Sequence, residues 1–169
     1  MSMDIIIASS LKTLQKADFL LNKLCDTHLC DASVAPYYSS IGSHIRHILD
    51  FYNCIFNMNE NSEVDLTARC RNTDVENQCH AALNYLNITK DKLQSLDIDV
   101  NSKITVIDDL GLGKTEMAYT YAALLSQANS HTIHHYAIIS YIMNGLKIEL
   151  EDCEFGYNPT TPKAVSEKC

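Results

Sequence analysis

From Met3 to Cys25 the apolar residues Ile6, Ile7, Leu11, Leu14, Phe19, Leu20 and Leu24 recur near helical spacing, with Lys12, Lys16, Asp18 and Lys23 mostly off that face. This predicts a first helix over those residues. The segment DTHLCDASVAPYYSS breaks the pattern with Pro36 and an Asp/Ser cluster, and a second periodic run opens at Ser39 or Ser40, predicting a helix from Ile41 to Met58. Residues 59–72 are polar and mixed, and no element is expected there. Thr73-Asp-Val-Glu76 then has the form in which a hydroxyl and a carboxylate satisfy each other's free backbone donors, so a third helix is expected from Thr73 to about Leu96. The stretch LDIDVNSKITVIDDLGLGKTEM alternates like a short strand and turns at Gly111 and Gly113, which predicts a hairpin. A fourth helix is expected from Met117 to Asn144, with Gly145 as its left-handed cap, followed by an irregular tail. The expectation is an all-α fold: a four-helix bundle in one domain over 1–169, with a short β-hairpin or extended segment before the last helix.

Composition agrees with one compact core, since 46% of the 169 residues are hydrophobic and 20% charged. The formal charge of -8 argues against a nucleic-acid partner, which would more often meet a basic face. MSMDIIIASSLKTLQ has neither a basic export region nor a membrane-spanning run, so a cytoplasmic location and no membrane partner are expected. Seven cysteines without a CxxC pair then read as reduced thiols, and the sequon Asn87-Ile88-Thr89 carries no meaning.

VIDDLGLGKTEM resembles a nucleotide-binding loop, because Gly113-Lys114-Thr115 before a helix would supply backbone donors, a neutralising lysine and a magnesium-binding hydroxyl. The full pattern needs a glycine where Asp108 stands, and the chain after Thr115 is mostly helical, with no room for the parallel sheet such a site requires. The glycines read instead as turn residues of positive φ, and nucleotide binding is not expected.

Histidine clusters occur in GSHIRHILD (His44, His47) and SHTIHHYAI (His131, His134, His135). On the last predicted helix the seam Leu124, Ala128, His131, His135, Ile138, Ile142 steps 4, 3, 4, 3, 4, so two imidazoles four residues apart point the same way. That spacing suits joint coordination of one metal ion; the plainer alternative is a pair of hydrogen-bonded core histidines. A third ligand would come from the second helix, whose polar stripe is Arg46, Asp50, Asn53 and Asn57. On its helical wheel His44 lies nearer the apolar centre, marked by Ile41, Ile48 and Ile55, than His47 does, and periodicity alone favours His44. His134 lies beside the seam, and His28 and His80 read as surface residues.

The motifs SIGSHIRHILDFY and SHTIHHYAIISYIMNGL, with FGYNP in the tail, resemble those of the DinB-like or YfiT-like proteins, four-helix bundles that bind a divalent metal through three histidines. The resemblance covers most of the chain. It implies the ligand set His47, His131 and His135, choosing His47 over His44, and one zinc, nickel or similar divalent transition metal ion. It further implies a small-molecule substrate, with small-thiol S-transfer or metal-dependent hydrolysis as the menu of reactions, and a homodimer is the assembly expected. Tyr136 departs from the arginine that many relatives carry after the double histidine. His44, His134 and Tyr141 are the candidates for a supporting or proton-transferring role behind the ligands. The competing expectation is a non-catalytic, metal-binding, stress-related dimeric protein.

Overall fold

The computed structural model describes residues 4–162; Met3, the expected start of the first helix, and Cys169 lie outside them. Four longer helices carry the core: α1 (Ile5–Lys23), α3 (Ile41–Phe56), α5 (Cys79–Gln94) and α6 (Tyr121–Gly145), with short helices α2 (Asp26–Leu29) and α4 (Thr73–Asn77) in the connections. The N-termini are capped by side chains that accept otherwise unpaired backbone N–H groups: Asp4 from Ile6, Ser40 from Ser43 and Thr120 from Ala123. Helix α1 packs on α5 and α6, and α3 packs on the same two, around buried Leu14, Leu20, Ile45, Ile48, Tyr52, Leu86, Leu125 and Ile139.

The fold is nevertheless not an all-α four-helix bundle. A three-stranded mixed sheet stands beside the helices, in the order β1 (Glu63–Asp65), β2 (Lys103–Asp109), β3 (Lys114–Thr120). Strands β2 and β3 form the expected hairpin, with Asp109 opposite Lys114, and Gly111 and Gly113 take φ of 96° and 109° in its turn. Strand β1 was hidden in the polar stretch. It is three residues long with one buried side chain, Val64, and pairs in parallel with β2, placing Val64 opposite Val106. A strand that short has no readable period, and its hydrogen bonds depend on a partner far along the chain.

Three boundaries also differ from expectation. Met117 belongs to β3, paired with Val106, so the last helix starts at Tyr121. The cap at the third helix is Asn72, whose carbonyl oxygen accepts from Asp74 N–H, while Glu76 pairs with Arg46 instead of turning back to the cap. The chain then extends at Gln78 (φ −132°, ψ 117°) and divides the expected single helix into α4 and α5. Gly145 ends α6 without being left-handed; that conformation falls on Lys147, with φ 60°. A Cβ on Gly145 would lie 2.7 Å from the Val34 side chain, so close packing explains the glycine.

Cys25, Cys30, Cys54, Cys70 and Cys79 are free thiols, whereas Cys153 is disulfide-bonded, contrary to the reading of every cysteine as reduced. No helix among the described residues is long and apolar enough to cross a membrane.

Candidate metal centre

Helices α3 and α6 face each other and bring four histidines together along their seam. His47 Nε2 lies 2.8 Å from His131 Nε2, and His135 Nε2 lies 3.1 Å from the same atom. One nitrogen from each of these three residues falls within 4.8 Å of the other two, so the cluster could hold a metal ion. A tetrahedral set at about 2.1 Å from an ion separates its donors by about 3.4 Å, so little ring movement is needed to reach that spacing. His44 stands behind the cluster. Its Nδ1 lies 2.8 Å from His135 Nδ1, and its Nε2 lies 2.9 Å from Ser39 Oγ. Both α3 histidines thus reach the seam, with His47 in the converging trio and His44 supporting His135.

Hydrogen placement follows from one neighbour. Arg69 NH1 is 3.0 Å from His47 Nδ1, and a guanidinium can only donate, so that ring nitrogen accepts. The neutral His47 ring therefore carries its proton on Nε2 and donates to His131 Nε2. His135 Nε2–H can donate to the same acceptor, His44 Nδ1–H to His135 Nδ1, and the Ser39 hydroxyl to His44 Nε2, which completes a consistent neutral chain. The Ser39–His44 and His44–His135 links can reverse without any heavy atom moving, but reversal takes the proton from His135 Nε2 and gives up its hydrogen bond to His131 Nε2, which already accepts from His47. The Arg69 link cannot reverse.

Burial keeps these rings uncharged near neutrality. It pushes His47 down to about 4, with help from the Arg69 charge. His44 and His131 are lowered by burial and then by His134, with Asp108 opposing weakly at His131. His135 is lowered furthest, by burial and then by His131 and His47. Neutral imidazoles, which can present a bare ring nitrogen once the proton lies on the other nitrogen, are what a transition-metal ion requires.

No protein-family model, no curated protein and no solved structure matches the chain. Its chemistry therefore has to be read from its own residues.

The other candidates separate clearly. His134 is exposed, its ring centroid 5.4 Å from that of His135, and it stands outside the converging trio. Tyr141 is 78% exposed and makes no described contact with the histidines. Tyr136 faces away: its hydroxyl donates to Thr13 O, its ring stacks on Phe155, and it lines a cleft of about 400 Å³ between α1, α6 and residues 154–159 that contains none of the histidines. His28 and His80 are exposed, as expected. The Cys54 thiol is pushed up to about 11 by burial and donates to Ala68 O, so it is no nucleophile at neutral pH.

The nucleotide-loop resemblance dissolves in the geometry. Asp109 Oδ1 accepts from the N–H groups of Gly111 and Gly113, Lys114 pairs with Asp65 at 2.9 Å, and a strand follows instead of a helix. A carboxylate of the chain itself already takes the donors that a phosphate would need.

One residue beside His47, Arg69, escaped sequence reasoning, as did the burial of a second, Asp50. Arg69 lies in the patternless stretch before α4. Asp50, placed on a polar stripe, is completely buried and accepts from Arg46 NH1, Arg71 N and Tyr85 OH. Its position one turn after Arg46 was legible, but its burial depends on α5 and on the loop that α3 meets.

Proposed function

We propose that this protein is a metal-dependent enzyme of the DinB-like kind, in which His47, His131 and His135 hold one divalent transition-metal ion, zinc or nickel, through their Nε2 atoms. The observation that supports the reading is the convergence of three uncharged imidazoles from two facing helices. His44 fits a supporting role, because a ligating histidine normally has its second nitrogen held by a partner, and His44 with Ser39 does this for His135. An ion with three protein ligands keeps an open position at which water or a thiol loses its proton near neutral pH. Ser39, His44 and Arg69 hold the rings; the reaction expected is hydrolysis or transfer of a small thiol to an electrophilic small molecule.

The test is elemental analysis and zinc titration calorimetry of wild type, His131→Ala and His135→Ala, with circular dichroism to establish retained helix. One ion per chain, lost in both variants, is the expected result; unchanged zinc affinity in both would sink the reading. Conjugation of monochlorobimane with low-molecular-weight thiols, run beside generic ester and amide substrates and repeated on His135→Ala, separates transferase from hydrolase. Metal binding with no metal-dependent turnover of any of them would favour the non-catalytic alternative.

A further inference from the structure

We propose that Arg69 is the anion-recognition residue of the histidine site, and that the molecule bound there carries a carboxylate or phosphate group. The inference rests on the proposed metal site and names the class of its substrate. Arg69 takes part in none of the ion pairs among the described residues, although acidic residues outnumber basic ones 21 to 13 in this chain. Half-buried and without a carboxylate partner among the described residues, it has one side-chain partner there, His47 Nδ1 at 3.0 Å.

The side chain is also held in place. Its Nε donates to Leu66 O at 3.1 Å, and the loop that carries it is fixed on both sides: Leu66 N–H donates to Ile107 O at 2.9 Å, and Arg71 N–H donates to the buried Asp50 carboxylate at 3.0 Å. A guanidinium anchored at one nitrogen loses little further freedom when an oxyanion binds its remaining fork, and the planar fork suits the two oxygens of a carboxylate or phosphate.

The hydrogen-bond chain links this residue to the metal. While Arg69 donates to His47 Nδ1, the His47 proton sits on Nε2, the atom an ion would use. Coordination at Nε2 would require the other neutral tautomer of His47, with one proton lost at Nε2 and one taken up at Nδ1, so Nδ1 would no longer accept from Arg69. With an ion held by the three histidines, NH1 would be freed from His47, leaving the two terminal arms of the guanidinium for an oxyanion.

Cobalt-loaded protein reports thiolate binding through its ligand-to-metal absorption band, so two thiols of similar length are compared, 3-mercaptopropionate and 2-mercaptoethanol. Wild type should bind the acid about tenfold more tightly, and Arg69→Met should bring the two within about twofold. Arg69→Lys, which keeps the charge without the fork, should retain part of the preference. Equal affinities in wild type, or an undiminished preference in Arg69→Met, overturns the proposal. Inorganic phosphate is titrated in parallel onto metal-free and cobalt-loaded protein, followed by the Arg69 Nε–H NMR signal, which is assigned by its loss in Arg69→Met. A saturable shift, stronger in the loaded form, supports the proposal and extends it to phosphates; no shift in either form overturns it. If cobalt does not bind at all, the metal reading falls, and the metal-free phosphate titration alone decides whether Arg69 recognises anions.

Discussion

Asp50 offers the sharpest test of how the centre is supported. Its carboxylate is completely buried, and three donors converge on two oxygens: Arg46 NH1 at 2.8 Å and Arg71 N at 3.0 Å on Oδ2, and Tyr85 OH at 3.1 Å on Oδ1. In Asp50→Asn the amide oxygen can keep Arg46 and Arg71, and the Tyr85 hydroxyl can turn round to accept from the new NH2. The loss is then the charge on two hydrogen bonds, about 2 kcal/mol in all. Asp50→Ala leaves all three donors without an acceptor, one of them an arginine that is only 15% exposed, and should cost about 4 kcal/mol. For a chain of this length those figures correspond to falls in Tm of about 4–8 °C and about 8–16 °C. The assay is urea and thermal unfolding followed by circular dichroism at pH 7, with Tyr85→Phe as a third variant. Tyr85→Phe should cost about 1 kcal/mol in wild type and close to nothing in the Asp50→Ala background, because its partner is already gone. An Asp50→Ala protein as stable as Asp50→Asn, or an additive cycle with Tyr85→Phe, would refute the account of a shared acceptor.

The histidine seam should make stability fall with acid. Since His47 ionises at about 4 in the fold against an ordinary 6.5, the folded chain binds fewer protons than the unfolded one between those values. The stabilisation is complete above pH 6.5 and is lost as pH falls toward 4, and solvent screening holds the His47 share to about 1–2 kcal/mol; urea midpoints of metal-free protein that stay flat from pH 7 to 4.5 would contradict it. Gly42→Ala should cost about 3 kcal/mol, because a Cβ there would sit 2.0 Å from the Glu76 backbone oxygen where α3 meets α4, and an unchanged Tm would show that the two helices part easily. Lys114→Ala removes an exposed pair with Asp65 and should change stability by no more than about 0.5 kcal/mol. Neither it nor wild type should bind ATP in equilibrium dialysis, and magnesium-dependent binding abolished by the substitution would revive the nucleotide-loop reading.

What could be read along the chain were the features whose partners lie a few residues away. Helices α1 and α3 were legible because a helix closes its hydrogen bonds within four residues and exposes its buried face as a 3.6-residue period. The pairing of His131 with His135 followed from the same geometry, and the positive φ of Gly111 and Gly113 from the need for a tight turn. Tertiary structure decided the rest. Strand β1 exists because β2 offers an edge to pair with, and Met117 is extended because Val106 lies opposite, although its own sequence reads as well for helix. Between His44 and His47, the helical wheel of α3 favoured the wrong ring for the converging trio, since a wheel measures distance from the apolar centre and says nothing of where α6 sets its own histidines. Arg69 had no local signal of any kind: it reaches the seam because Asp50, nineteen positions earlier, is buried by α5 and holds the loop by Arg71 N–H. Local hydrogen bonding writes its period into the sequence, whereas a contact between distant segments depends on how whole elements pack, and no stretch of either segment alone carries that information.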